Sequence, residues 1–91
     1  MSLPTFDNPQ PFSVYKDAEA FVLITTKLGE EKKVLQKLGQ LDALTEAHNV
    51  NGSYDIMARF RTKNYDCLNE LLKIEIKKIE EVKRTRILLI S

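Results

Sequence analysis

Apolar and polar positions alternate with two different periods along this chain, and the switches between them mark out its elements. Phe21-Val22-Leu23-Ile24-Thr25-Thr26, within Ala20–Leu28, is β-branched and aromatic, which predicts a strand. It is apolar on both faces, as a central strand covered on both sides would be. A helical period follows: Val34, Leu35, Leu38 and Leu41 fall at i, i+1, i+4 and i+7 and make one apolar stripe, with Lys32, Lys33, Gln36 and Lys37 opposite. This helix is predicted to start in Leu28-Gly29-Glu30-Glu31, with Gly29 as N-cap and two glutamates at the positive end of its dipole. Gly39-Gln40 loosens its end.

Leu44–Val50 reads as a more polar strand suited to a sheet edge. After it, Ile56, Ala58 and Phe60 alternate with Met57, Arg59 and Arg61, a period of two. Between them Asn51-Gly52 is the strongest short hairpin signal, predicting a tight turn in Val50–Asp55. Asn64 is positioned to cap a second helix, with Asp66 in its first turn and Leu68, Leu72, Ile76 and Ile79 as its buried stripe, Leu71 beside them. Val82–Ile90 reads as a last strand. The order is βαββαβ, which predicts an α+β, ferredoxin-like domain: a four-stranded antiparallel sheet in the order 4-1-3-2 with both helices on one face. The opposite face would take half the side chains of Phe21–Ile24 and Ile87–Ile90. An exposed apolar patch of that kind predicts self-association through the open sheet face, most simply as a two-fold dimer.

Composition narrows the function. Ninety-one residues allow one domain. All three prolines, Pro4, Pro9 and Pro11, fall near the start, so residues 1–18 read as an extended tail and 19–91 as the folded domain. Phe6, Phe12, Val14 and Tyr15 give that tail side chains able to dock on another subunit. Fourteen basic against thirteen acidic residues leave a net charge of +1, and no helix is free to read a groove, so direct DNA binding is not expected. The longest apolar run, Ala20–Ile24, is far short of a membrane span, and no secretory signal is present. One cysteine, Cys67, excludes an internal disulfide and fits a reducing cytoplasm. One histidine and one cysteine cannot build a zinc-type centre, and no cofactor is expected.

The residue that stands out is Asp55, a carboxylate just where strand packing should begin. With no capping role in the nearby sequence, it reads either as a solvated turn residue or as a polar anchor for a small ligand.

The segment Leu44-Thr45-Glu46-Ala47 leading into Val50-Asn51-Gly52-Ser53-Tyr54-Asp55-Ile56, together with the Val-x-x-Thr-x-hydrophobic run from Val82 to Leu88, resembles the RAM domain, the effector-binding half of the Lrp/AsnC transcription regulators. The resemblance spans about Ala20 to Ile90. It implies a stand-alone RAM protein that pairs through its open sheet face, assembles further into rings, and forms mixed assemblies with full-length Lrp/AsnC regulators. It also implies an amino-acid effector held in clefts between subunits, lined by the Gly-x-x-Asp turn and the last strand. Carried onto this chain, the ligand-binding residues are Asn51, Gly52, Tyr54, Asp55 and Thr85. The chain departs from the family at Ile87, where relatives often carry a second hydroxyl.

Other readings use other residues. A dimeric ferredoxin-like barrel of the small oxygenase type would need a haem ligand, and His48 is the one histidine. Cys67, near the start of the second helix, reads as a small core residue. No nucleophile, base and orienting group occur as a set, so no enzyme is expected. An ACT-like regulatory domain would put its key glycine at Gly29. A single-stranded RNA binder would stack bases on Tyr54 and Phe60 from one central strand. Arg59, Arg61, Arg84 and Arg86 read as solvated or as intersubunit ion partners.

Overall fold

A computed structural model describes residues 17–90. The residues assigned to the docking tail, Phe6, Phe12, Val14 and Tyr15, lie outside them. The elements are β1 (Ala18–Thr26), α1 (Glu31–Leu38), β2 (Leu44–Asn49), β3 (Ile56–Thr62), α2 (Tyr65–Glu70), which continues as a π-helical turn over Leu71–Glu75, and β4 (Val82–Leu89). All neighbours are antiparallel, in the order β2-β3-β1-β4. This is the βαββαβ, ferredoxin-like arrangement that the periods predict.

β1 is the frame of the sheet. It is bonded to β3 along one edge and to β4 along the other, and alternate residues from Ala18 to Thr26 are buried. Ala20, Val22 and Ile24 meet Ile56, Ala58 and Phe60 of β3, Val34 and Leu38 of α1, and Leu68, Leu72 and Ile76 of α2 in one core. The other face of β1 carries Glu19, Phe21, Leu23 and Thr25.

Several boundaries differ from the sequence expectation, each for a local reason. β1 starts at Ala18 and stops at Thr26, and Leu28 is fully exposed in the turn that follows. Gly29 does not cap α1. It takes a φ of +79° to reverse the chain, Glu30 N–H donates to the Lys27 carbonyl, and the helix starts at Glu31. The connection between β2 and β3 is a six-residue loop closed by Val50 N–H to the Asp55 carbonyl at 2.9 Å, not a tight Asn-Gly turn. Gly52 still holds a φ of +121° there. Asn64 caps α2 as predicted, its Oδ1 accepting from Cys67 N–H at 2.8 Å. Cys67 itself is half-buried, because the cap leaves it on the flank of the helix.

The π-helical turn has a cause in the spacing. Leu68, Leu72 and Ile76 recur every four residues, which at about 100° per residue would drift off the sheet-facing side. An i→i+5 turn, with Ile76 N–H donating to the Leu71 carbonyl at 3.2 Å, winds more slowly and keeps Leu72 and Ile76 in the core.

α2 packs on β1 and β3 and α1 packs against β2. Neither covers β4, where only Val82 is even half-buried. The exposed apolar side chains of β4 are therefore divided. Leu88 shares the open face with Phe21, while Ile87 and Leu89, opposite Val22 and Ala20, border α2. The open face is also less apolar than predicted. Arg59 donates to Glu19 Oε1 through Nη2 at 2.6 Å, and Arg61 reaches Asp17 Oδ2 at 2.8 Å. These two arginines are paired within the chain, whereas Arg84 and Arg86 meet no described carboxylate within 4 Å.

One ion pair ties the last turn of α1 to the residue before β4: Lys37 Nζ donates to Glu81 Oε1 at 2.8 Å. The lysine's hydrogen bond holds the Glu81 carboxyl below its ordinary value of 4.5, and Glu81 holds Lys37 above 10.5. The stability the carboxylate contributes is complete above pH 4.5 and is lost as pH falls through the depressed value. That of the ammonium is complete below pH 10.5 and is lost above its raised value. Urea unfolding should therefore show Glu81→Gln less stable than wild type at pH 7, with the gap narrowing as pH falls below 4.5. A gap that is unchanged at acid pH would show that this pair is not its source.

Candidate functional site

The β2–β3 loop is fastened to the end of β1 by four hydrogen bonds. Asp55 N–H donates to the Ile24 carbonyl at 2.8 Å, and Thr25 Oγ1 donates to the Ser53 carbonyl at 3.3 Å. Asp55 Oδ2 accepts from Thr26 N–H at 2.8 Å and from Thr26 Oγ1 at 3.2 Å. Asp55 thus has a local structural role that the sequence did not disclose. Its partner lies 29 residues away, at the irregularity between Thr25 and Thr26 in the β1–β4 ladder.

Asp55 and Asn51 line a cleft of 400 Å³ together with Asn49, Val50, Glu31 and Lys32 at the start of α1. Gly52 and Tyr54 belong to the same loop but do not line this cleft. Gly52 shapes the loop through its positive φ, and a Cβ there would meet nothing within 4 Å, so its backbone is openly accessible. Tyr54 is half-buried and precedes β3 instead of standing on it.

Thr85 is elsewhere. It stands opposite Ile24 across the β1–β4 ladder, while Ile56 stands opposite Ile24 across the β1–β3 ladder. Two strand spacings, roughly 10 Å, separate the two flanks. Thr85 borders a groove of 230 Å³ between α2 and β4, floored by Leu72 and Ile87 and edged by Asn69 and Lys73. A second cavity of 270 Å³ continues along β4 past Val82, Lys83 and Arg84, and the two share Lys77 and Thr85. The groove lies off the buried stripe of α2, so the hydrophobic period does not mark it. Its signal is the neighbouring stripe at four-residue steps, Tyr65, Asn69, Lys73 and Lys77, which runs beside β4.

The remaining candidates have other surroundings. His48 is exposed and its Nε2 lies 2.7 Å from Glu46 Oε1. That hydrogen bond, with Arg59 second, holds the Glu46 carboxyl below its ordinary value. Phe60 is fully buried and cannot stack on a base, which removes the RNA-binding reading. Among the described residues no three His, Cys, Asp or Glu side chains come together as metal ligands. No helix among them is long and apolar enough to cross a membrane.

Truncating Asp55 should cost stability in the absence of any ligand. Asp55→Ala deletes a charge-assisted pair of hydrogen bonds, for which a loss of about 1.5–3 kcal/mol in chemical denaturation is expected. Asp55→Asn, which keeps an acceptor oxygen for Thr26 N–H, should lose less. If Asp55→Ala lies within about 0.5 kcal/mol of wild type, the loop is not held by this carboxylate.

Comparison with known proteins now places the fold. Residues 19–91 match the family model described as the Lrp/AsnC ligand binding domain. The HTH-type transcriptional regulator FL11 of Pyrococcus furiosus is 34% identical over 71 residues, which cover 78% of this chain and 46% of the regulator. The chain thus spans about half the length of the FL11 regulators it matches. Among solved structures, FFRP-DM1 superposes with a TM-score of 0.78 at 28% identity, covering 81% of this chain and 99% of that one. E. coli AsnC superposes with a TM-score of 0.76 at 26% identity, covering 99% of this chain and 60% of that one. The FL11 relatives are transcriptional regulators, and this chain belongs to the Lrp/AsnC ligand-binding domain family.

Proposed function

We propose that this domain is an amino-acid sensor whose site is completed between two copies of the chain. The observation that carries the reading is the separation of Asp55 from Thr85. The loop cleft holds Asn51 and Asp55, the groove holds Thr85, and the two share no lining residue within one chain. A second copy that brings its loop to the first copy's groove would unite them.

The chemistry of the two halves is complementary to an α-amino acid. The Asp55 carboxylate and the exposed backbone at Gly52 suit an ammonium group and a close backbone approach, and Asn51 adds an amide. The Thr85 hydroxyl offers a hydrogen bond to a carboxylate. Tyr54 would wall the loop half. The regulator NMB0573 of Neisseria meningitidis, solved as an L-Met complex, superposes with a TM-score of 0.76 at 9% identity, so the fold is compatible with an amino-acid ligand. Self-association is supported by the strip of Phe21, Leu23, Met57 and Leu88 on the open face. Further assembly into rings would bring loops and grooves of different dimers together. The domain would work in the cytoplasm, without reading DNA itself, by modulating transcription through mixed assemblies with full-length Lrp/AsnC regulators.

Two measurements test this. Light scattering at micromolar concentration should give at least twice the chain mass, and a monomer would refute the composite site. Calorimetric titration with the twenty amino acids should find at least one that binds at about millimolar concentration or tighter. Asp55→Ala should weaken that binding about ten- to a hundredfold, and Thr85→Val should weaken it less. Equal affinity in Asp55→Ala would remove the carboxylate from the site.

A further inference from the structure

The α2–β4 groove carries a charge pattern that the loop cleft lacks. Lys73, in the π-helical turn, and Lys77, two residues beyond its end, both line the groove. Lys83 extends the same bank along β4 in the adjoining cavity, whereas Arg84, opposite Thr25, belongs to the open face. No carboxylate lines either cavity, and none of the three lysines lies within 4 Å of a described carboxylate. The acids nearest in sequence are engaged, Glu75 with Lys78 and Glu81 with Lys37. A chain with a net charge of only +1 has concentrated uncompensated positive charge on one groove. The loop cleft, by contrast, sets Asp55 and Glu31 against a single Lys32.

The floor adds a second constraint. Leu72 and Ile87 give the middle of the groove an apolar surface, and Asn69 and Thr85 supply neutral hydrogen-bonding groups on its two sides. A ligand that fits must be anionic at more than one point and have a short apolar stem. A fully polar anion would waste the floor, and a neutral apolar amino acid would leave the lysines uncompensated.

We propose that the groove selects an amino acid with an acidic side chain, glutamate or aspartate. This rests on the composite site of the preceding section. Lys77 and the Thr85 hydroxyl, side by side where the two cavities meet, take the α-carboxylate. Lys73 and Asn69 take the side-chain carboxylate, and the methylene groups lie over Leu72 and Ile87. The ammonium group meets Asp55 of the second copy. Ile87, on the floor of the groove, supplies an apolar surface beneath the ligand's stem.

The test uses the full chain with L-glutamate, L-aspartate, L-glutamine, L-leucine and L-lysine as probes in calorimetry. Glutamate or aspartate should bind at least about tenfold more tightly than glutamine, leucine or lysine, and the advantage should shrink as salt rises. The Lys73→Glu/Lys77→Glu double variant, checked for an unchanged circular dichroism spectrum and assembly mass, should lose the acidic ligand and gain affinity for lysine. Lys73→Arg/Lys77→Arg, which keeps the charge, should retain the preference. A neutral or basic amino acid that binds best and still depends on Asp55 would overturn the acidic selection and leave the amino-acid sensor standing. Acidic ligands that bind equally well to the charge-reversed variant would remove the groove from the site. If none of the twenty amino acids binds, the sensor reading itself fails and this inference with it.

Discussion

The loop that carries Asp55 is held by the end of β1, and that attachment governs where every candidate side chain can be. β1 is bonded on both edges, so Ile24 is paired at once with Ile56 and Thr85. Beyond Ile24 the ladder to β4 becomes irregular, and Thr26 N–H and Oγ1 turn to Asp55. The same carboxylate that closes the sheet at this point borders the open cleft beside α1. A structural demand thus falls on a side chain that also borders the cleft, and Asp55 must satisfy Thr26 whether or not a ligand is present.

The periodic elements were legible because their hydrophobic spacing matches what packs. The alternation in Ile56–Phe60 and the stripe Leu68–Leu72–Ile76–Ile79 put the predicted side chains in the core. What was not legible depends on distant partners. Nothing near Asp55 in sequence announces Thr26, so a residue with a structural bond looked like a free anchor. The pairing of Arg59 with Glu19 spans 40 residues, and it changes the open face from a plain apolar patch into an apolar strip beside an ion-pair network. Gly29 reverses the chain instead of capping α1, and Asn51-Gly52 sits in a six-residue loop instead of a tight turn: a glycine specifies a backbone angle and neither the cap nor the length of the loop around it.

The groove was hidden for a related reason. The hydrophobic period marks the side of α2 that becomes buried, while the groove-facing stripe is the adjacent one, visible only once β4 is known to run beside it uncovered. The π-helical turn contributes here: it keeps Leu72 in the core and in the groove floor together, so that Lys73 and Lys77 stand along the rim. Folding constraints on the apolar stripe and the chemistry of the groove are linked through the winding of one helix.

The central claim, that a ligand site is shared between copies, is tested most directly by complementation. Asp55→Ala chains lack the loop half, and chains with Lys73→Glu/Lys77→Glu lack the groove half. Each alone should fail to bind. Mixed by unfolding and refolding together, they should recover binding in those assemblies where an intact loop from one chain meets an intact groove from the other, about a quarter of the wild-type sites for random pairing into dimers. Recovery of that order in a calorimetric titration is the result expected from a shared site. Mixed samples that bind no better than either variant alone would contradict it.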